Sequence, residues 1–280
     1  MSPSLVVEFT KMHGAGNDFI VLDNRWYRFS DEELADLAAT WCPRRYGVGA
    51  DGLLALAPDD REDVDYRMRY VNADGSWATM CGNGARCLAR FALAADFEGP
   101  EVTFDTDAGR YHAVRTEEES DRMRLYVPPA TDLSLDMVLA EATAPHGGPV
   151  HYVNTGTGHL VLFVDNVNAV PLAEWAPSLR HDARVHPPGA NVNVVEVQQD
   201  DTLRMRTFEK GVEGETLSCG TGVLAAATVA AAAGHEAASP LTVQTRGGTF
   251  EVGTATTSRD EERYLEGPVV TVFRGTLNVT

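Results

Sequence analysis

The sequence Met-Cys-Gly-Asn-Gly-Ala-Arg-Cys occupies residues 80–87, and Ser-Cys-Gly-Thr-Gly-Val-Leu-Ala occupies residues 218–225. Both segments share the pattern Cys-Gly-x-Gly, and in both an apolar run of helical length follows the glycines. The cysteines that open the pattern, Cys81 and Cys219, are 138 residues apart. This recurrence predicts a chain of two similar halves, each built around a helix that begins just after a cysteine.

Further pairs of matching segments support a duplication, because they occur in the same order at separations of 137–142 residues. The pairs are 14–24 with 156–166, 49–56 with 189–197, 67–69 with 204–206, and 103–109 with 242–248. We therefore predict one half at residues 1–127 and the other at residues 128–268. The break is placed near Pro128-Pro129, where fixed φ angles suit a linker.

Strands are predicted to outnumber helices in both halves. The runs that predict strands include 5–12, 19–22, 65–71, 101–105 and 241–245. Ser30 and Glu33 have the spacing of a capping box, which predicts a helix start. The predicted fold class is therefore mixed α+β: two pseudo-symmetric halves, each with mixed β-strands wrapped around a central helix, near 83–95 and 221–233.

Composition excludes several classes of protein. The net charge of −18 is opposite to that of a nucleic-acid binder. The longest uncharged apolar run, 223–234, is too short to span a bilayer, and no basic and apolar leader opens the chain, so a cytoplasmic protein is expected. None of the four cysteines lies in a Cys-x-x-Cys pair, which argues against a zinc site or a disulfide scaffold.

The position of Cys81 and Cys219 before predicted helices indicates reactive thiols. Helix N-termini gather free N–H groups and the positive end of the dipole, which favours the thiolate and can also bind a carboxylate. Inversion of a stereocentre needs one group to remove a proton from one face and another to return it on the opposite face. Two equivalent thiols suit that chemistry, whereas Cys42 and Cys87 are predicted to be structural.

At this point the chain resembles the diaminopimelate epimerase family over nearly its whole length. The motifs that carry the resemblance are 11–19, 47–52, 72–75, 80–87 and 211–222. The resemblance implies interconversion of LL- and meso-diaminopimelate, in lysine and peptidoglycan biosynthesis, without pyridoxal phosphate or metal. It also implies a small amino-acid substrate and a strand at 269–280 that packs with the first half. We further expect a homodimer, with no nucleic-acid or membrane partner.

The family pattern also implies roles for individual residues. Cys81 and Cys219 match the acid/base pair, while His159 and Glu209 match residues that flank the reacting centre. The expected substrate-binding residues are Asn17, Asn72, Gly82, Asn83, Thr157, Asn191, Glu209, Lys210, Gly220 and Thr221.

Three positions depart from the family pattern. Thr157-Gly158 stands where Asn-Pro or Ser-Pro is usual, Lys210 stands where many members have arginine, and Gly52 stands where some have glutamine. The first two bear on the distal end of the substrate. An epimerase or racemase of histidine, proline or hydroxyproline therefore remains an alternative. So do a redox protein with a Cys81–Cys219 disulfide, which the absence of Cys-x-x-Cys argues against, and a non-catalytic binding protein.

Overall fold

The computed structural model describes residues 5–117, 121–137, 148–182, 184–185, 189–235, 239–257 and 260–279. The strands in these ranges are β1 (Leu5–Gly14), β2 (Asn17–Asp23), β3 (Gly52–Ala57), β4 (Tyr66–Asn72), β5 (Trp77–Ala78), β6 (Glu101–Thr106), β7 (Gly109–Val114), β8 (Arg122–Val127), β9 (Thr131–Met137), β10 (Val150–Asn154), β11 (Gly158–Phe163), β12 (Asn191–Val197), β13 (Leu203–Glu209), β14 (Gly214–Thr216), β15 (Leu241–Gln244), β16 (Thr249–Thr256), β17 (Glu261–Pro268) and β18 (Val270–Val279). The helices are α1 (Asn24–Tyr27), α2 (Asp31–Trp41), α3 (Gly82–Ala94), α4 (Leu172–Arg180) and α5 (Gly220–Ala232), with a 3₁₀ turn at Val167–Ala169.

The chain divides into two compact units. One comprises Met1–Leu125 together with Gly267–Thr280, and the other comprises Tyr126–Glu266. In the first unit the strand order is β18-β1-β2-β3-β4-β6-β7-β8, and the short β5 pairs with β4. Neighbouring strands there are antiparallel, except for the parallel pairs β2–β3 and β4–β6.

The second unit repeats this arrangement strand for strand. Its order is β9-β10-β11-β12-β13-β15-β16-β17, and the short β14 pairs with β13. The parallel pairs, β11–β12 and β13–β15, stand at the same two places in the order. The predicted mixed α+β class with two pseudo-symmetric halves is thereby confirmed.

One helix lies at the centre of each unit. Helix α3 buries a small apolar face that includes Ala85, Leu88 and Ala92, whereas α5 carries no charged residue and is buried almost all round. A helix that is apolar on every side is typical of an interior position. Both helices begin one residue before their predicted starts, because the cysteine itself is the N-cap residue.

The predicted helix start at Ser30 is also confirmed. The Ser30 hydroxyl accepts a hydrogen bond from the Glu33 backbone N–H at 3.3 Å, and the Glu33 carboxylate accepts one from the Ser30 N–H at 2.8 Å. This capping box begins α2, whose buried face contains Leu34 and Trp41. In the part of the chain that the structure describes, no helix is long and apolar enough to cross a membrane.

Candidate active site

Cys81 caps the N-terminus of α3. Its backbone is extended (φ −142°, ψ 119°), and its Sγ accepts a hydrogen bond from the Gly84 N–H at 3.5 Å. A Cβ on Gly84 would lie only 3.1 Å from the Leu54 side chain, so glycine lets the first turn approach β3 closely. The N–H groups of Gly82 and Asn83 belong to this first turn, where no helical carbonyl accepts them.

Asn17 and Asn83 lie beside the Cys81 thiol. A tight turn at Ala15 (φ 52°) and Gly16 (φ 86°) joins β1 to β2 and places Asn17 at the start of β2. The Asn17 Oδ1 lies 3.5 Å from Cys81 Sγ and accepts from Asn83 Nδ2 at 3.4 Å. Three of the predicted site residues therefore meet within one unit.

The buried Arg86 holds Asn83 from the other side. Arg86 Nη2 donates to Asn83 Oδ1 at 2.7 Å, and Arg86 Nη1 donates to the Gly82 carbonyl oxygen at 3.2 Å. Complete burial lowers the pKa of Arg86 to about 10, so the guanidinium stays charged at neutral pH. Because Asn83 Oδ1 is engaged by Arg86, its amide NH₂ is directed towards Asn17.

A group of charged residues supports Asn17. Asp51 Oδ2 accepts from Asn17 Nδ2 at 2.7 Å, and Arg44 bridges Asp51 and Asp18 at 2.8 and 2.7 Å. Lys11, which is almost fully buried, donates to Asp18 at 2.6 Å. Burial opposes ionisation of Asp18, but the hydrogen bonds from Arg44 and Lys11 outweigh it and lower its pKa to about 2.

Asn72 makes its described contacts within its own turn. Its Nδ2 donates to Ser76 Oγ at 3.0 Å, and its backbone N–H donates to the Ser76 carbonyl oxygen at 2.8 Å. Asn72 faces Gly52 across the β3–β4 pair. The structure therefore links Asn72 to the turn at residues 72–76 and not, by any hydrogen bond described, to Cys81.

Cys219 is the N-cap residue of α5, as Cys81 is of α3, but its side chain accepts no capping hydrogen bond. Its backbone is extended (φ −128°, ψ 111°), it is buried, and its Sγ lies 3.4 Å from Thr221 Oγ1. The Thr221 carbonyl oxygen accepts a hydrogen bond from Thr155 Oγ1 at 2.8 Å. This bond ties the turn before β11 to the first turn of α5, where Gly220 is the first residue.

His159 is fully buried between two asparagines. Its Nε2 lies 3.3 Å from Asn191 Nδ2, and its Nδ1 lies 3.1 Å from Asn193 Nδ2. Burial, reinforced by the charge of Lys210, lowers the pKa of His159 to about 3, despite the opposing hydrogen bond to Asn193. The ring is therefore neutral at neutral pH, and it can orient neighbouring side chains but cannot act there as a charged acid.

Lys210 connects Thr157 and Asn191. Its Nζ donates to Thr157 Oγ1 at 2.9 Å, and its backbone N–H donates to Asn191 Oδ1 at 2.7 Å. Burial lowers the pKa of Lys210, and the nearby charge of Arg180 lowers it further. The preceding residue, Glu209, ends β13 and is half-buried. The structure thus brings together three of the predicted binding residues of the second half, Thr157, Asn191 and Lys210.

The remaining cysteines have a different environment. Burial raises the pKa of Cys42 to about 12, and burial also raises the pKa of Cys87 well above its ordinary value. Both side chains are therefore held as thiols, as a structural role requires. Within the described ranges, no group of three or more His, Cys, Asp or Glu side chains is arranged to hold a metal ion.

Comparison with known proteins identifies the family. The sequence model described as diaminopimelate epimerase matches residues 9–129 and 151–272. The chain belongs to the diaminopimelate epimerase family. The diaminopimelate epimerase of Methanocella arvoryzae is 41% identical over 98% of this chain and 97% of that protein. That of Chlorobaculum tepidum is 40% identical over 96% of this chain and 100% of that protein.

Two solved structures share the fold of this chain. A Bacillus anthracis phenazine biosynthesis protein of the PhzF family has a TM-score of 0.75 at 16% identity, over 98% of this chain and 100% of that chain. A hydroxyproline epimerase from Agrobacterium vitis has a TM-score of 0.67 at 18% identity, over 98% of this chain and 93% of that chain. At these identities the likeness shows the fold alone.

Two departures from the diaminopimelate epimerase pattern have a local structural explanation. A Cβ on Gly158 would lie 2.8 Å from the Tyr152 hydroxyl, so the ring of Tyr152 occupies space that a proline at 158 would need. A Cβ on Gly52 would lie 2.5 Å from the Val71 carbonyl oxygen and 2.7 Å from the Tyr70 ring. Glycine at each position therefore accompanies a tyrosine packed against it.

Sequence reasoning missed Asp51 and Asn193, which contact predicted site residues. The repeat carried a signal for Asp51, because it aligns residues 49–56 with 189–197 and so places Asp51 opposite Asn191. Asn17 and His159 are likewise equivalent, at a separation of 142. The same contact recurs in both units: Asn17 binds Asp51 in the first, and the equivalent His159 lies against Asn191 in the second.

Proposed function

We propose that the protein interconverts LL- and meso-diaminopimelate by a two-base mechanism with Cys81 and Cys219 as the acid/base pair. The observation that carries the proposal is the equivalent placement of both thiols as N-cap residues of the two central helices. Membership of the diaminopimelate epimerase family supports the choice of reaction and substrate.

The reaction transfers one proton out and one proton in. One cysteine, as thiolate, removes the Cα proton and becomes a thiol, and the other cysteine, as thiol, returns a proton to the opposite face and becomes a thiolate. The carbanion formed between the two steps is stabilised by fixed N–H donors. The first turns of α3 and α5 supply such donors at Gly82-Asn83 and Gly220-Thr221, which suits them to the carboxylate of the reacting centre.

The distal end of the substrate is assigned to polar side chains that lie close to these helix ends. Lys210, Thr157 and Asn191 form one hydrogen-bonded group with a half-buried ammonium, which suits a carboxylate. By the family pattern alone, Asn17 and Asn72 are assigned to the distal amino and carboxylate groups. His159 and Glu209 flank the reacting centre in this assignment, with His159 acting as a neutral hydrogen-bonding group.

The proposal also covers the organisation of the chain, its cofactor requirement, its location and its oligomeric state. Each predicted half, 1–127 and 128–268, contributes one cysteine, and the strand at 269–280 belongs with the first half. The enzyme is an isomerase that needs no pyridoxal phosphate or metal, acts in the cytoplasm in lysine and peptidoglycan biosynthesis, and forms a homodimer. Light scattering during size-exclusion chromatography tests the homodimer, for which a mass near 60 kDa is about twice the chain mass of 30.3 kDa.

Proton exchange in deuterium oxide tests the reaction. The protein, reduced and treated with a chelator, is incubated separately with LL- and meso-diaminopimelate and with histidine, proline and hydroxyproline, and loss of the Cα–H signal is followed by NMR. Exchange and epimerisation are expected with diaminopimelate alone. Exchange with another amino acid instead would establish a different substrate, and a requirement for added pyridoxal phosphate would contradict the mechanism.

Cysteine variants separate the proposed pair from the other thiols. Cys81→Ala and Cys219→Ala should each abolish epimerisation, because each removes the only base on one face. Cys42→Ala and Cys87→Ala are matched controls with the same change at buried thiols, and they should keep activity wherever they remain folded. Wild-type epimerisation in either Cys81→Ala or Cys219→Ala would exclude the two-base assignment.

A further inference from the structure

The carboxylate of Asp51 receives hydrogen bonds from two sides. Asn17 Nδ2 and the Asp18 backbone N–H donate to Oδ2 at 2.7 and 3.2 Å, and Arg44 Nη2 donates to Oδ1 at 2.8 Å. A carboxylate accepts at both oxygens and donates nothing, so it satisfies donors that arrive from both directions. An amide has one accepting oxygen and would present its NH₂ to donors on one of the two sides.

This arrangement determines how the Asn17 amide is turned. Because its NH₂ points at Asp51, its Oδ1 faces Cys81 Sγ at 3.5 Å and receives Asn83 Nδ2 at 3.4 Å. Arg86 fixes the Asn83 amide in the matching orientation. Because Arg86 donates to Asn83 Oδ1, the Asn83 NH₂ faces the Asn17 oxygen. A carbonyl oxygen only accepts hydrogen bonds, so at the thiol it interacts favourably with S–H and unfavourably with S⁻.

The equivalent positions of the second unit, as far as the structure describes them, are arranged differently. Asn191, the equivalent of Asp51, accepts from the Lys210 backbone N–H and turns its NH₂ towards His159, the equivalent of Asn17. An amide is sufficient at position 191, because its oxygen accepts from Lys210 while its NH₂ faces His159.

We propose that Asp51 is a positioning residue, whose carboxylate holds the Asn17 amide with its carbonyl oxygen against the Cys81 thiol. The inference rests on the proposed function only in treating Cys81 as an acid/base thiol. In Asp51→Asn, the single amide oxygen accepts from the charged Arg44, which forms the stronger hydrogen bond, and the new NH₂ faces Asn17. Asn17 then turns its NH₂ towards the sulfur, which favours the thiolate.

Alkylation of the cysteines without substrate tests the proposal. Wild type, Asp51→Asn, Asn17→Ala and the double variant are treated with iodoacetamide at pH 7, and modification of each cysteine is followed by peptide mass spectrometry. Asp51→Asn should accelerate modification of Cys81 about fivefold, the effect of reversing one ordinary hydrogen bond. Cys219, in the other unit of the same molecule, should keep its wild-type rate.

The Asn17→Ala background separates positioning from a direct charge effect. If Asp51 acts through Asn17, adding Asp51→Asn to Asn17→Ala should leave the Cys81 rate unchanged. An equal acceleration in both backgrounds, no acceleration in either, or the same acceleration at Cys219 would overturn the proposal. Asp74→Asn, which removes an equal charge from an exposed turn of the same unit, should behave as wild type.

If Asp51→Asn folds poorly, a second variant tests the positioning role of Asp51. Asp51→Glu keeps two accepting oxygens and should leave the Cys81 rate at the wild-type value, so a fivefold acceleration in this variant would also overturn the proposal. Epimerase activity is measured separately. An enzyme that does not turn over diaminopimelate would contradict the proposed function, while the alkylation rates would still decide the role of Asp51.

Discussion

Replacement of His159 by glutamine should reduce the acid sensitivity of the fold. The ring is fully buried, and burial lowers its pKa from the ordinary 6.5 to about 3. Between these values the unfolded chain binds a proton that the folded protein does not bind. The free energy of unfolding therefore falls as pH falls below 6.5, and it rises again with pH.

The size of the effect follows from the separation of the two pKa values. Each pH unit below 6.5 costs the folded state about 1.4 kcal/mol, so pH 5.0 costs about 2 kcal/mol relative to pH 7.5. His159→Gln keeps a polar side chain of similar length but binds no proton. Its free energy of unfolding should therefore fall about 2 kcal/mol less than that of the wild type over this pH range.

Urea unfolding at pH 7.5, 6.5, 5.5 and 5.0 measures the difference. His181→Gln is the matched control, because it makes the same change at a side chain that is 62% exposed. That variant should follow the wild-type curve. Parallel curves for wild type and His159→Gln would refute the reasoning, since they would mean that the folded protein protonates His159 as readily as the unfolded chain does.

Other predictions concern catalysis and packing. Cys81→Ala and Cys219→Ala should each still eliminate halide from a β-halogenated substrate analogue, but from opposite configurations; elimination by both from one configuration would exclude thiols on opposite faces. Gly222→Ala should lower the free energy of unfolding by about 1–3 kcal/mol in urea, because the new Cβ would lie 2.6 Å from the buried Asn193 Oδ1. Lys210→Ala should raise KM for diaminopimelate at least tenfold, the effect of one lost charge-assisted hydrogen bond, and an unchanged KM would place the distal carboxylate elsewhere.

The sequence repeat was sufficient to predict the two halves and both cysteine-capped helices, because duplication preserves local features. Contacts between distant residues were less accessible. Thr157 meets the Lys210 ammonium only because the ends of β11 and β13 are brought together through β12, and no local pattern encodes that meeting. The low pKa of His159 depends on complete burial, which the isolated residue type does not indicate.

Asp51 shows how a signal can be present and still be missed. The repeat aligned it with Asn191, but an acid after Gly-Ala in a glycine-rich loop is ordinary for a turn. Its importance lies in the direction from which three donors arrive, and direction is a property of the folded backbone. For Asn72 the situation is reversed. The family pattern indicated a binding residue, and its described hydrogen bonds are those of an ordinary turn.

The pairing of β18 with β1 has a consequence for the ancestry of the chain. Leu5 lies opposite Val279, so the first and last described strands run side by side. If the chain were cut between β17 and β18 and β18 were joined to β1, the strands of each unit would form one continuous segment. Its strands would then follow the same sequential order in both units. The strand order of the present chain is therefore that of a tandem duplication in circularly permuted form, with the first strand of the first copy placed after the second copy.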